Sequence, residues 1–486
     1  MKVSAIQGNR NKFHPQILPQ QKCISSQSNS SVKNRVYNTG YCSISFGNYI
    51  PNTKRYSDAK DYLASDLSSV QASVKYRPIN LYDFDLDKLD GIQDGIKVFE
   101  GMSLKEVAFL LATLSEVATN RGCYNNCSHC YADARPPHLT KDNQINKINW
   151  DDFVNLTRGI KELNTRLGFN ARAISGARTN YITPFHDSDC IDLSIIDKYG
   201  LEHDFIDISE KLYEALETPV IFDTAGWAPK NTKLQQRAEK IVDYLKNLDN
   251  SDKIYQINLS FNPFHALNTK SVMFRKIGEN VSADKLQDLY TTRMANVLYT
   301  FTPLLDNKND KLTLLARAID NDIPNFEGFQ AEDLDEIFAQ TLKKLKKMYE
   351  KDLNGQQKYV ENKKQIIGNL HKYKKLYKDS KSTKVSFTER AIRNFGSDNP
   401  IAEKYSKIVN EANKYIDNTL LFDYLNSDIV GLIDSNGKYY LTTYVFTVPT
   451  ELQLNFKNKD KQTADIKPNM LSNHVITKDL INGDLL

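Results

Sequence analysis

The sequence predicts an α/β protein whose parallel sheet is built from strands that alternate with helices. Over roughly 200 residues, amphipathic helical stretches alternate with short apolar strands, and helices of this length are the usual crossovers between parallel strands. The composition is that of a globular chain, because 40% of the 486 residues are hydrophobic and 26% are charged, and the net charge of +4 favours no particular partner. No apolar run reaches the roughly 18 residues that span a bilayer, so no membrane insertion is expected.

Changes of sequence pattern divide the chain into four regions. Residues 1–100 begin rich in Asn, Ser and Gln and are expected to be mostly disordered, with a short helical or looped lead-in over 56–100. The alternating α/β region covers 101–305. A basic helical region is predicted at 306–395, and a small α+β appendage at 396–486.

The α/β region opens with a helix whose start is marked by a capping box. Ser103 and Glu106 have the S-x-x-E spacing, in which each side chain bonds the backbone N–H of the other residue. Downstream, the periodicity predicts alternating strands and helices, with an irregular strand region at 171–189. The predicted strands are 116–120, 219–227, 253–264 and 296–305, and the predicted helices are 150–168, 204–216, 233–248 and 284–295.

Residues 332–384 are predicted to be helical and strongly basic. Between 341 and 384 there are 14 lysines and four acidic residues, a net charge of +10. This segment suits either contact with RNA or an acidic peptide, or a solvated lysine surface whose tyrosines pack inside. The interleaved tyrosines are Tyr349, Tyr359, Tyr373 and Tyr377.

The appendage contains a predicted β-hairpin at 428–448. Its turn signal is Asn436-Gly437, because Asn and Gly tolerate the positive φ that tight hairpin turns require. Apolar and aromatic residues flank the turn on both sides.

Three of the six cysteines lie within eight positions, in the stretch GCYNNCSHCYADARPP at 122–137. Cys123, Cys127 and Cys130 have the spacing C-x3-C-x2-C. Their polar neighbours are a poor setting for inert core cysteines, although accidental spacing is one of three interpretations.

The other two interpretations are metal sites. A structural zinc ion needs four tetrahedral ligands, and His129 or His138 would complete the three cysteines. Zinc folds usually pair two C-x2-C knuckles, however, and this chain has no second one. In a [4Fe–4S] cluster the three thiolates would hold three irons and leave the fourth iron open to a small molecule.

A C-x3-C-x2-C segment after the first strand of a β/α repeat resembles the radical S-adenosylmethionine (SAM) superfamily. The resemblance covers roughly residues 115–305. It implies a partial TIM-like (β/α)6 barrel with the cluster at the carboxyl end of the first strand, where barrel active sites lie. It also implies that SAM binds the open iron and is cleaved reductively to methionine and a 5′-deoxyadenosyl radical, which abstracts hydrogen from a substrate.

The resemblance implies further cofactor contacts at the strand ends. The usual Gly-Gly-Glu-like segment, which binds the SAM amino group, has no literal match, and either PFHDSD or its rival Ser175-Gly176 takes its place. FDTAGW resembles the Thr-x-Gly segment after the third strand, and NLSFNPFH ends the fourth. The candidate contacts are His186, Asp187, Ser188 and Asp189 for the amino group, Asp223 and Thr224 after the third strand, Ser260 and Asn262 for the ribose or carboxylate, and His129 and Tyr131 beside adenine.

Each of these assignments has a structural alternative. The HDSD stretch also suits a turn or a helix cap, and the NPF stretch suits a turn that ends a strand. Tyr131 also suits core packing, and Trp227 is expected to pack against the barrel rim. Cys190 lies near a predicted strand end, outside the group of three. It is either a catalytic hydrogen donor to a substrate radical or a structural cysteine.

The leading hypothesis is a cytoplasmic radical SAM enzyme that acts on a peptide or protein side chain. Neither a secretory signal nor a disulfide framework is expected from the sequence. The resemblance implies an electron donor such as flavodoxin or ferredoxin, and the absence of cysteines after Cys190 excludes the auxiliary clusters of many peptide-modifying members. Two alternatives stay open: an RNA-modifying radical SAM enzyme that uses the basic segment, and a non-catalytic zinc-binding interaction protein.

Overall fold

The fold is described from a computed structural model of the chain. Predictions for residues 1–85 lie outside its described residues. The described residues are 86–125, 146–172, 180–185, 188–228, 232–247, 252–261, 283–306, 311–316, 318–319, 334–355, 359–380, 384–385, 430–442, 447–458 and 475–483.

The helices follow the predicted pattern closely. The capping box at the start of the α/β region is confirmed, because the Glu106 N–H donates to Ser103 Oγ at 3.2 Å and the Ser103 N–H donates to Glu106 Oε2 at 2.7 Å. The described helices are α1 (Leu86–Leu89), α2 (Leu104–Thr113), α3 (Trp150–Leu167), α4 (Phe205–Leu216), α5 (Lys233–Lys246), α6 (Ala283–Phe301), α7 (Leu334–Leu353), α8 (Lys363–Ser380) and α9 (Lys478–Gly483).

The described strands form four parallel and four antiparallel pairs. They are β1 (Leu114–Val117), β2 (Asn120–Arg121), β3 (Asn146–Lys147), β4 (Ser194–Ile196), β5 (Glu202–Asp204), β6 (Val220–Thr224), β7 (Ile254–Phe261), β8 (Leu312–Ala316), β9 (Ala318–Ile319), β10 (Lys384–Val385), β11 (Val430–Ile433), β12 (Lys438–Thr442) and β13 (Thr447–Gln453).

The parallel strands follow one another in the order of the sequence. β6 pairs in parallel with β7, and β7 with β8. On the other side of β6, parallel bridges join Ile182 to Val220 and Thr183 to Glu116, so the chain at 182–183 links β6 to β1. β9 begins two residues after β8 and pairs in parallel with β10.

The helices between these strands pack side by side in chain order from α3 to α8. Phe222 of β6 packs against Phe205 of α4 and Phe301 of α6, with ring centroids 4.9 Å and 6.3 Å apart. Phe261 of β7 packs against Tyr290 of α6 at 5.9 Å. Right-handed crossovers between sequentially ordered strands place successive helices on one face of a sheet, and these contacts agree with that arrangement.

The strand predicted at 296–305 is wrong. Residues up to Phe301 continue α6, and a 3₁₀ turn covers Thr302–Asp306. A short apolar and aromatic run suits a buried helix as well as a strand, and Val297 and Leu298 are indeed buried. The next strand of the sheet is β8, which lies beyond the predicted end of the α/β region at 305.

The basic segment forms two helices, as predicted, and they connect β9 to β10. α7 packs on α6, and α8 packs on β8. The tyrosines face inward: the Tyr373 hydroxyl donates to the Leu298 carbonyl at 2.5 Å, and the buried Tyr349 hydroxyl lies 2.6 Å from Thr302 Oγ1. The packing interpretation is therefore confirmed for these tyrosines. None of the described helices is long and apolar enough to cross a membrane.

The predicted C-terminal hairpin is present, but it does not stand apart from the α/β region. β11 and β12 pair antiparallel, and Gly437 in their turn has a φ of 81°. β11 also pairs in parallel with β1, with Leu432 opposite Glu116. The hairpin therefore extends the sheet of the α/β region.

Candidate functional site

The structure describes only part of the predicted site. Cys123, Ser188, Asp189, Cys190, Asp223, Thr224 and Ser260 lie within the described residues. The predictions for Cys127, His129, Cys130, Tyr131, His138, Ser175, Gly176, His186, Asp187 and Asn262 fall outside them.

Cys123 lies just beyond the carboxyl end of β1. The chain passes from β1 into β2, and Gly122 then turns it with a φ of 109°, a conformation that favours glycine. Cys123 is 9% exposed, and its Sγ accepts the backbone N–H of Asn125 at 3.4 Å. The first thiol of the predicted trio is therefore held at the end of the first parallel strand.

Two asparagines on either side of Cys123 tie this loop to the chain after the second parallel segment. The Asn120 amide donates to Ser188 Oγ at 3.0 Å, and the Asn125 amide donates to Asp189 Oδ2 at 3.1 Å. Each asparagine keeps a buried Oδ1 atom with no hydrogen-bond partner. Buried acceptors are rarely left unsatisfied, so each of these two oxygens marks a position where a bound donor would be stabilised.

Asp189 is buried, and four donors surround its carboxylate. Oδ1 accepts the Thr224 hydroxyl at 2.6 Å and the Ile191 N–H at 3.0 Å. Oδ2 accepts the Ala225 N–H at 2.8 Å as well as the Asn125 amide. Burial raises the pKa of Asp189 above its ordinary value, while the hydrogen bonds from Thr224, Ala225, Ile191 and Asn125 oppose that rise.

An aromatic pair makes a second link between the cysteine loop and the segment after β6. The Tyr124 hydroxyl donates to the Trp227 carbonyl at 2.5 Å, and the two rings lie 6.3 Å apart. The Arg293 guanidinium of α6 lies 4.7 Å from the Trp227 ring centroid, which is cation–π distance. Burial raises the pKa of Tyr124 well above its ordinary value and lowers the pKa of Arg293 to about 10.

The structure separates Asp223 from Thr224, which were predicted to face the cofactor together. Thr224 is buried and bonds Asp189. Asp223, the preceding residue, points to the other face of the strand and accepts a hydrogen bond from the Asn258 amide. Ser260, two residues after Asn258 on β7, lies on that same face and is partly exposed.

That face of the sheet is polar and partly open. The Thr313 hydroxyl donates to the Asn258 amide oxygen, and Gln256 Nε2 donates to the same oxygen at 2.8 Å. Tyr181 lies nearby, 5.1 Å from Tyr255 between ring centroids. Burial, followed by the Asp223 and Glu116 carboxylates, raises the pKa of Tyr181 to about 12.

Sequence reasoning missed several of these residues, although the strands carry a usable signal. Along β7, polar side chains alternate with buried apolar ones, which predicts one polar face and one apolar face. The polar residues on β7 and the adjacent strands that were not assigned to the site are Tyr181, Gln256, Asn258 and Thr313. Asn120 and Asn125 had no signal beyond their position beside Cys123.

Cys190 lies in a different setting from Cys123. It has no exposed surface, and its Sγ accepts the Asp223 N–H at 3.3 Å. Burial, then the Asp223 and Asp189 carboxylates, raises the pKa of the Cys190 thiol well above its ordinary value. A hydrogen donor must touch its substrate, and this thiol is covered on all sides in the described conformation.

Comparison with models of known protein families, with curated proteins and with solved structures found no match. Within the described part of the chain, no group of three or more His, Cys, Asp or Glu side chains is arranged to hold a metal ion. Two of the three clustered cysteines lie outside that part.

Proposed function

We propose that the chain is a radical SAM enzyme that acts on a peptide or protein side chain. Cys123, Cys127 and Cys130 would hold three irons of a [4Fe–4S] cluster, and SAM would bind the fourth. When bound, the cluster would supply the electron that cleaves SAM and starts hydrogen abstraction from the substrate. The observation that carries the proposal is the position of Cys123 beyond the first strand of a sequentially ordered parallel sheet.

The strand order supports a partial (β/α)6 barrel as the scaffold. Parallel pairing runs from β1 through 182–183, β6 and β7 to β8, and β9 pairs in parallel with β10. The intervening helices pack in chain order on one face. Catalytic groups of such folds lie at the carboxyl ends of the strands, which is the end where Cys123 is found.

The residues around Cys123 fit a ligand that offers hydrogen-bond donors. The unpartnered Oδ1 atoms of Asn120 and Asn125 are acceptors, and the amino group and the ribose hydroxyls of SAM are donors. Asn120 and Ser188 therefore become candidates for the contact that the Gly-Gly-Glu-like segment makes in the superfamily. We also propose a cytoplasmic setting, because the cluster needs thiols that stay reduced.

The decisive experiment is anaerobic reconstitution with iron and sulfide, followed by SAM and dithionite. Wild-type protein should bind about four irons per chain, as a [4Fe–4S] cluster contains, and should release 5′-deoxyadenosine. Cys127→Ala should lose at least about 100-fold of that release, because two thiolates do not hold the cube. Cys42→Ala, which removes a thiol far from the trio in sequence, is the control and should match wild type. Equal product from Cys127→Ala and wild type would refute the proposal.

The colour of the purified protein distinguishes a zinc site from an iron–sulfur cluster. A [4Fe–4S] protein is brown and absorbs broadly in the visible range, whereas a zinc protein is colourless because Zn²⁺ has a filled d shell. Metal analysis of protein purified without oxygen decides between iron with sulfide and zinc.

The RNA alternative gains no support from the helices that suggested it. The lysines of α7 and α8 are largely exposed, but Tyr349, Tyr373 and Tyr377 are buried and present no ring for stacking on a base. Salt-sensitive tRNA binding that is lost on Lys374→Glu and Lys375→Glu would revive this alternative. We expect no such specific binding.

A further inference from the structure

Asp189 occupies an unusual position between the cysteine loop and the end of β6. Its carboxylate is 3% exposed and lies between Asn125, two residues after Cys123, and the pair Thr224 and Ala225. These two segments are about a hundred residues apart in the chain. Parallel bridges through 182–183 align their strands, and the Asp189 side chain joins the segments beyond the strand ends.

The carboxylate has no capacity left for a further ligand. An ionised carboxylate offers about four lone-pair sites. The Thr224 hydroxyl and the Ile191 N–H occupy two of them on Oδ1, and the Ala225 N–H and the Asn125 amide occupy two on Oδ2. Sequence reasoning placed Asp189 among the groups that bind the SAM amino group, and this hydrogen bonding argues for a different role.

We infer that Asp189 is a positioning residue that fixes the cysteine loop against the carboxyl end of β6. The path is short: Asp189 holds the Asn125 amide, and the Asn125 backbone N–H holds Cys123 Sγ. Asn120 makes a similar bond to Ser188, the residue before Asp189, so the two ends of the segment 120–125 are attached to two adjacent residues. This inference rests on the proposed function only in its last step, that the loop carries a cluster.

Asparagine at position 189 would break the arrangement without changing its size. All four partners of Asp189 are donors in the described structure, and an asparagine side chain has one acceptor oxygen and one NH2 group. In either orientation the NH2 group would face a backbone N–H, from Ile191 or from Ala225. The bond to Asn125 or the bonds near Thr224 must then lengthen.

The test measures the position of Cys123 in protein without metal. We expect Asp189→Asn to raise the alkylation rate of Cys123 by iodoacetamide roughly tenfold, because a charge-assisted hydrogen bond that restrains the loop is lost. Site-resolved mass spectrometry follows each thiol separately. Asn125→Ala removes only the link on the loop side, without disturbing the partners of Asp189 on β6, and should raise the rate similarly even if Asp189→Asn folds poorly.

The matched control is Asp152→Asn. Asp152 is also buried and also accepts two backbone N–H groups, from Lys457 at 2.8 Å and Asn458 at 2.9 Å. It does not touch the cysteine loop, so its substitution should leave the alkylation rate of Cys123 at the wild-type value. A rise in all variants would indicate general loosening, and no rise in Asp189→Asn and Asn125→Ala would overturn the inference.

A second measurement links the positioning role to the cluster. After reconstitution, Asp189→Asn should bind iron but show an altered electron paramagnetic resonance spectrum, and a smaller spectral change on addition of SAM, than wild type or Asp152→Asn. If wild-type protein binds no iron, the proposed function fails, while the alkylation comparison still decides the role of Asp189. If the spectra agree in all variants that bind iron, Asp189 does not position the cluster.

Discussion

Two carboxylates, Asp189 and Asp192, lie near Tyr124 of the cysteine loop, and their environment sets when they carry charge. Asp192 is three residues from Asp189 and lies 3.9 Å from the Arg237 guanidinium. Burial and the Asp189 carboxylate raise the pKa of Asp192 to about 6, while Lys147 and Arg237 partly oppose the rise. The folded state therefore holds a proton on this carboxyl more tightly than the unfolded chain does.

Asp192→Asn should flatten the acid side of the stability profile. Because the folded pKa lies above the unfolded one, the proton on Asp192 stabilises the fold at low pH, and that contribution is lost as pH rises from about 4 to about 6. The substitution should reduce the change in the free energy of unfolding across this pH window by at most about 3 kcal/mol, since one pKa unit corresponds to about 1.4 kcal/mol.

Urea unfolding between pH 4 and pH 7.5 measures this difference in the free energy of unfolding. The exposed Asp379 on α8 provides the control variant Asp379→Asn, which should retain the wild-type slope. An Asp192→Asn profile that runs parallel to wild type across the window would contradict the prediction.

How far the sequence predicts the site depends on whether a residue carries a chemical pattern. The spacing C-x3-C-x2-C identifies Cys123 as a candidate cluster ligand from the sequence alone, and that role stays a prediction. Asp223 and Thr224 could be placed at a strand end, but their separation onto two faces follows from the pleat of β6 and from the partners of each. Asn120 and Asn125 are ordinary loop residues until the fold brings Ser188 and Asp189 to them.

At the scale of elements, the distance between a helix and the segment packed on it decides which side chains the helix can carry at that contact. Gly159 lies in the middle of α3, where the helix crosses the 3₁₀ turn at Lys97–Phe99. A Cβ atom at Gly159 would lie 2.4 Å from Val98 Cγ1 and 3.1 Å from Ile96 Cγ2. The glycine therefore allows the lead-in segment to pack directly on the helix.

Two glycine-to-alanine substitutions should change stability in opposite directions. Gly368 lies in α8, and a Cβ atom there would meet no other atom within 4 Å. Gly368→Ala should stabilise the protein by about 0.5–1 kcal/mol through helix propensity, whereas Gly159→Ala should destabilise it by about 1–3 kcal/mol through overpacking.

Thermal or urea unfolding of both variants measures the two effects, and the common substitution makes each the control for the other. Stabilisation by Gly159→Ala would mean that the lead-in segment does not pack on α3 as described. Destabilisation by Gly368→Ala would mean that α8 is less open at this position than described.

The first helices of the α/β region were more predictable from the sequence than the segment 296–305. The capping box marks the start of α2, and α3, predicted at 150–168, is observed at Trp150–Leu167. The run from 296 to 305 combines aromatic and β-branched residues, which favour a strand locally. Packing against the sheet and α7 overrides that preference, because the run is the buried end of α6.

At the scale of the molecule, β1 is an interior strand with parallel neighbours on both sides. The chain at 182–183 pairs with it on one side, and β11 pairs with it on the other. The C-terminal helix α9 adds a further link, because Lys478 lies 3.1 Å from the buried Glu106 at the start of α2. β1 therefore pairs with a strand near the C-terminal end of the described chain, and α2 contacts its last helix.

Deletion of residues 430–486 should abolish cooperative folding of the α/β region. Removal of β11 exposes the backbone groups and the apolar side chains of β1, including Val117 and its neighbours. Circular dichroism during heating should show no sharp transition, and amide hydrogen exchange at β1 should lose protection. Deletion of residues 1–41, which lie outside the described residues, is the control and should retain the transition.

A truncated chain that unfolds cooperatively with protected β1 amides would contradict this expectation. It would mean that the C-terminal hairpin is dispensable for the sheet, as an independent appendage would be.

The pairing of β1 with β11 also orders events during synthesis. Ser115 and Gly431 are hydrogen-bonded although 316 positions separate them in the chain. Translation proceeds at roughly 5–20 residues per second, so β1 waits tens of seconds before β11 emerges. The thiol-bearing loop follows β1 directly, so its scaffold is completed only after most of the chain has left the ribosome. If the proposed cluster binds to this loop, iron loading before that point would meet cysteines on an unfinished sheet, so the proposal predicts that the cluster is inserted after translation.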